Sequence, residues 1–105
     1  MSDFKGDKIL VHVDPELREL VPGYLENRRK DVDFFREALE MADFESIRAK
    51  GHDLKGSGGG YGFNGVTEIG GWIEKAAKEK NSRAIREQIN NLSAYLGKIT
   101  IVYSD

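Results

Sequence analysis

The chain has 105 residues, with 16 Lys and Arg against 18 Asp and Glu, no cysteine and two histidines, which sizes it for one domain with one core. Disulfides, thiolate catalysis, Cys-ligated zinc and an all-His metal site are thereby excluded, and a net charge of −2 without a basic block argues against nucleic acid as a partner. No run approaches the roughly 18 apolar residues that cross a bilayer, and the polar, acidic start Met1 to Asp7 does not read as a signal peptide, so a soluble, cytoplasmic domain is expected.

Residues 1–13 read as an extended N-terminal arm ahead of a domain over 14–105. Asp14-Pro15-Glu16 is a helix start, with Asp14 as cap, Pro15 at the first helical position and Glu16 facing the dipole. Leu17, Leu20, Val21 and Tyr24 follow at helical spacing, and Pro22 predicts a kink or a fresh start. Val32, Phe35, Leu39 and Ala42 mark the next helix. Asp43 caps another, through Ile47, Gly51, Leu54, Gly58 and Tyr61. Asn64 or Gly65 opens a segment with Val66, Ile69, Ile73 and Ala76 on one face. Ile85, Ile89, Leu92, Leu96, Ile99 and Tyr103 then alternate steps of 4 and 3. The expectation is an all-α protein of antiparallel helices joined by short connections. Lys8 to Val13 and Ile99 to Tyr103 are rich in β-branched residues and offer an alternative, a short two-stranded pairing of the chain ends. An extended arm and a helical C-terminus are expected instead. Trp72 is expected in the core.

Six of the twelve glycines fall between Gly51 and Gly62. Gly56, Gly58, Gly59 and Gly60 together oppose a helix by roughly 4 kcal/mol, so something must require them. Gly60-Tyr61-Gly62-Phe63-Asn64-Gly65 fits G-x-G-x-x-G, but no strand precedes it, and Lys55 stands before Gly56 rather than after it as a P-loop requires. A loop stacking bases on Tyr61 and Phe63 conflicts with the net negative charge. In the third reading the glycines clear space on a helix. With Ile47, Leu54 and Gly58 facing the core, His52 falls roughly 120–140° away on the helix flank. Lys55, Gly56 and Gly59 lie beside it at i+3, i+4 and i+7. The imidazole then stands proud of nearly bare backbone, open to close approach by another protein. Gly51 and Gly58 face inward, where a neighbouring helix can pack closely. A plain surface histidine would need no such surroundings, and His12, which lacks them, reads as structural or incidental.

The stretch Gly51-His52-Asp53-Leu54-Lys55-Gly56-Ser57-Gly58-Gly59-Gly60-Tyr61-Gly62-Phe63 resembles the motif of histidine-containing phosphotransfer (HPt) domains, His-x-Leu-Lys-Gly-small-small followed by an apolar residue and Gly. The likeness extends from about Leu17 to Tyr103. It implies an antiparallel four-helix bundle, here with a short additional N-terminal helix and the arm, and a phosphorylatable His on the second bundle helix. By this resemblance His52 accepts a phosphoryl group from a receiver-domain phosphoaspartate or a histidine kinase and passes it to a response-regulator aspartate. Lys55 steadies the phosphoryl oxygens and Gly56 gives access, with Gly59 beside it. Glu74 occupies the position of the residue that accepts a hydrogen bond from the other imidazole nitrogen; its alternative is a surface pair with Lys78. The Gly58-Gly59-Gly60 run is richer in glycine than the family's usual small residues, and Lys8 to Val13 lies outside the shared core.

A neutral imidazole is a competent nucleophile near pH 7, and phosphoryl transfer asks mainly for positioning and charge neutralisation. The chain itself needs no cofactor and shows no metal site; Mg2+ is expected on the partner receiver. Glu45, Arg48 and Lys55, with Ser57 at the margin, should meet receiver or kinase domains. The expectation is a stand-alone monomeric phosphocarrier of a two-component phosphorelay, not a product-releasing enzyme, a nucleic-acid binder or a membrane protein. The competing readings are a docking module that exchanges no phosphate and a piece of a larger chemotaxis-type kinase.

Overall fold

The computed structural model describes residues 8–103; residues 1–7 of the expected arm, and the last two residues, lie outside this range. The described residues form four α-helices and one two-stranded sheet. Asp14 accepts a hydrogen bond from the Glu16 amide at 2.9 Å. The capped element, however, is a single 3-10 turn over Pro15–Leu17, in place of the expected short N-terminal helix. Helix α1 then runs unbroken from Val21 to Glu40. Pro22 sits in its first turn, where backbone N–H groups have no intrahelical acceptor, so the proline opens the helix and costs it nothing.

Helix α2, Phe44–Ser57, is capped by Asp43, which accepts from the Ser46 amide at 3.2 Å and its hydroxyl at 2.7 Å. The periodicity carries this helix to Tyr61, but it stops at Ser57. Gly58 closes it, Gly59–Tyr61 make a 3-10 turn, and Gly62 adopts a left-handed φ of 94°. A side chain at Gly62 would be strained, and its Cβ would stand 2.8 Å from the His12 carbonyl oxygen. Helices α3, Asn64–Lys78, and α4, Ser82–Lys98, complete the set, the latter capped by Asn81 accepting from the Ala84 amide. Phe35, Ile47, Leu54, Phe63, Ile73, Ile85, Ile89 and Leu92 form the centre of the core.

The chain ends depart from expectation. α4 ends at Lys98, and Ile99 turns to extended backbone at ψ 141°. Strand β2, Ile99–Tyr103, pairs in parallel with strand β1, Ile9–Val13, in the register Ile9 to Ile99 through Val13 to Tyr103. The expected helical C-terminus is therefore a strand. Parallel strands need a long crossover, and the four helices supply it. β1 is extended, yet it is part of the core: Val11 and Val13 are buried, and Ile99, Ile101 and Tyr103 pack on the same cluster. Trp72, expected inside, is 51% exposed on the rim of α3, with the Lys75 Nζ 5.7 Å from its ring centroid. Among the described residues no helix is long and apolar enough to cross a membrane.

Candidate functional site

The site is built on the crossing of α2 and α3. A Cβ on Gly70 would lie 2.6 Å from the Lys55 amide nitrogen and 2.8 Å from the Gly51 carbonyl oxygen, and one on Gly51 would lie 2.9 Å from the Glu74 amide nitrogen. Two backbones can come this close only where neither helix carries a side chain. Gly58 serves the same purpose at the end of α2, against Thr67 and the Phe63 carbonyl. The inward glycines on α2 are thus used as the spacing suggests.

This approach brings two helices' chemistry into one place. His52 projects from α2 with its side chain 66% exposed, and its Nδ1 lies 3.1 Å from Glu74 Oε2 on α3. The Glu74 side chain is only 11% exposed. Lys55 Nζ stands 3.7 Å from the other oxygen, Oε1, and Lys78 Nζ stands 3.9 Å from Oε2. Burial opposes the Glu74 charge, but the hydrogen bond from His52 and the ammonium groups of Lys55 and Lys78 outweigh it and hold the carboxyl below its ordinary value. An ionised Glu74 is an acceptor only, so Nδ1 carries the proton toward it, and Nε2 is the outward nitrogen, with a lone pair whenever the ring is neutral.

The surroundings of the ring are open. A Cβ at Gly56, one turn on from His52, meets nothing within 4 Å. Gly59 is no longer on the α-helix; it belongs to the 3-10 turn, where its amide donates to Thr67 Oγ1 at 2.7 Å. Glu45 and Arg48, on the exposed surface of α2, pair at 2.5 Å. That hydrogen bond and the pair's mutual attraction lower the Glu45 carboxyl and raise the Arg48 guanidinium, which also feels Glu74. Ser57 turns the other way: its hydroxyl lies 3.3 Å from the Tyr24 hydroxyl, on the α1 side. Tyr61 stacks on Tyr24 at 4.2 Å and Phe63 is fully buried, so both serve packing. Asp31 of α1, also buried, joins α1 to α2 on that flank, accepting from Arg28 Nε at 2.7 Å with Lys50 Nζ at 3.6 Å.

The sequence brings His52, Lys55 and Gly56 together by helical spacing, and Glu74 by resemblance. Two participants escape that reading. Lys78 has a signal, its i+4 spacing from Glu74, which suggests an ordinary surface pair and conceals that it shares an oxygen with the histidine. Thr67 has none, because its role depends on where the chain turns after Gly58. Among the described residues no group of three or more His, Asp or Glu side chains is placed to hold a metal ion.

A family model described as the Hpt domain matches residues 19–99. No curated protein and no solved structure matches the chain. With a small-residue crossing, an exposed histidine and the greater part of the chain inside that match, the protein belongs to the Hpt domain family, which functions in phosphorelay signalling.

Proposed function

We propose that this protein is a phosphocarrier that takes a phosphoryl group on His52 Nε2 and hands it to a response-regulator aspartate. The observation that carries the reading is the exposed imidazole whose inner nitrogen is held by the buried Glu74 carboxylate. The donor is a receiver phosphoaspartate or a histidine kinase. From a phosphoaspartate, the Nε2 lone pair forms the P–N bond as the P–O bond breaks, and the electron pair leaves on the aspartate carboxylate. The ring keeps its Nδ1 proton and becomes a phosphoryl-imidazolium, whose positive charge faces Glu74. Lys55, released from Glu74 Oε1, reaches the phosphoryl oxygens as a mobile point charge. Gly56 and Gly59 leave room for the partner, and Glu45 and Arg48 border its footprint. The receiver brings the Mg2+ that the transfer needs. The protein acts as a cytoplasmic monomer.

Intact mass spectrometry after treatment with phosphoramidate tests this. Wild type should gain one phosphoryl adduct, labile to acid and stable to alkali, and His52→Gln should gain none. Receiver binding that survives in His52→Gln, with no adduct in wild type, would replace this reading with a docking module that exchanges no phosphate.

A further inference from the structure

Gly70 and Gly71 stand side by side in the middle of α3, and a glycine inside a helix weakens it relative to alanine. The crossing with α2 requires Gly70. It does not require Gly71: among the described residues, a Cβ there would meet across the crossing only Lys55, with Cδ at 3.7 Å and Cγ at 3.9 Å. Those are ordinary contact distances, and the position is partly exposed, so the fold itself leaves room for a side chain. What lies over the bare backbone instead is the Lys55 stem.

Lys55 leaves α2 with its amide nitrogen against Gly70, carries its stem over Gly71 and ends with Nζ 3.7 Å from Glu74 Oε1. It meets Gly70, Gly71 and Glu74 in turn and so runs along α3, although its side chain is 56% exposed. The ion pair alone is a weak tether, because an exposed lysine has much rotamer freedom to lose and its pairing with a carboxylate gains little. Contact along the stem restricts it further, with the methylene groups against α3 and the ammonium in water. A residue larger than alanine at position 71 would contest that strip. Its γ atoms would start from a Cβ already in contact with the stem, and a β-branched residue has two of them with little freedom at χ1.

We propose, resting on the phosphocarrier reading, that Gly71 is a positioning residue that acts through Lys55: its bare backbone holds the lysine stem across α3. Glu74 also binds the His52 ring at 3.1 Å, so the ammonium waits beside the ring and turns only its last bonds to meet the phosphoryl oxygens. Gly56 then clears the approach of a partner, and Gly71 clears the path of the cation.

The test is phosphoramidate labelling, followed by intact mass spectrometry, of wild type, Gly71→Ala, Gly71→Val, Lys55→Ala and the double variant of Gly71→Val with Lys55→Ala. Urea denaturation first shows that each is folded. Gly71→Ala should label at the wild-type rate. Gly71→Val and Lys55→Ala should each be slowed about fivefold, the order expected for one misplaced charge in a half-exposed site. The double variant should be no slower than Lys55→Ala, because residues that act as one unit do not add. Labelling of Gly71→Val at the wild-type rate, or a further fivefold loss in the double variant, overturns the proposal. Should valine unfold the chain, Gly71→Gln, a better helix former without branching at Cβ, takes its place and the same outcomes decide. The Lys55 ε-methylene signals in NMR spectra give a readout that needs no phosphoryl group. Gly71→Val should shift them toward those of a free lysine and Gly71→Ala should not; unmoved signals in Gly71→Val overturn the proposal as well. A wild type that takes no phosphoryl group sinks the phosphocarrier reading, and these signals still decide whether Gly71 holds Lys55.

Discussion

Gly51 on α2 and Gly70 on α3 face each other so closely that a Cβ on Gly70 would stand 2.8 Å from the Gly51 carbonyl oxygen. The meeting of His52 with Glu74 depends on this contact. Glu74 is one turn beyond Gly70 and His52 is the next residue after Gly51, so the separation of the two backbones sets the 3.1 Å link between Nδ1 and Oε2. The atoms a new methyl would meet are backbone atoms, which cannot rotate away. Gly70→Ala should cost about 1–3 kcal/mol, the usual range for overpacking, measured by urea denaturation. It should also push Glu74 away from the imidazole, seen as loss of the slowly exchanging Nδ1 proton in NMR spectra. A protein that tolerates alanine at both positions with the His52 signals unchanged would show that the helices are not held this close.

Gly56 is the opposite kind of glycine. Its Cβ direction is open, so Gly56→Ala should keep or raise stability, by up to about 1 kcal/mol from helix propensity. A larger residue separates access from chemistry. Gly56→Gln should fold as well as wild type and still react with phosphoramidate, a donor small enough to reach Nε2. It should lose transfer to or from a receiver domain by at least about tenfold, in line with the penalty for a 1 Å misplacement of reacting groups. Equal losses with both donors would place Gly56 in the chemistry rather than in the approach.

Local signals in the sequence were the easiest to read. Asp43 caps α2 because an Asp side chain three residues ahead of Ser46 reaches its amide whatever the tertiary setting, and the flank position of His52 follows from helical spacing alone. Where two structures satisfy one spacing, the pattern cannot choose. Ile99 and Tyr103 are four apart, which suits a helix face and equally one face of a strand; the partner strand Ile9–Val13 decides it. Trp72 lies one residue short of Ile73, about 100° round α3 from that buried position, and its ring stays half in water. Ser57 turns to Tyr24 because α2 is flanked by α1 on that side, a relationship absent from the residues around it.

The strand pair makes a prediction about the chain ends. Val13 is 1% exposed and Val11 is 5% exposed, although both lie outside the residues matched by the family model. Val13→Ala should cost about 2 kcal/mol by removing buried methyl groups. Removing residues 1–13 altogether should cost more, because β2 would lose its partner and its backbone groups would be left without acceptors and donors. Thermal unfolding of both variants checks this. A truncated chain as stable as the full one would mean that the helices hold β2 without β1.

Glu74 should also leave a mark on acid stability, separable from its role with His52. Its carboxyl is held below the ordinary 4.5, burial notwithstanding, by the His52 hydrogen bond and the charges of His52, Lys55 and Lys78. A carboxyl with a lower value in the folded state stays ionised there to lower pH than in the unfolded chain. Its contribution is therefore complete above about 4.5 and is lost as the pH falls through the folded value. Asp43 is lowered too, by its bonds from the Ser46 side chain and amide, so the wild-type protein alone would report both groups. The difference between wild type and Glu74→Gln isolates one of them, since Asp43 titrates in each. Between about pH 5 and 3, where free imidazole is already charged, wild type should lose stability faster on acidification than Glu74→Gln, and the two denaturation curves should converge or cross. Parallel curves over that range would show that the carboxyl titrates alike in the folded and unfolded chain, and that the two lysines do not act on it.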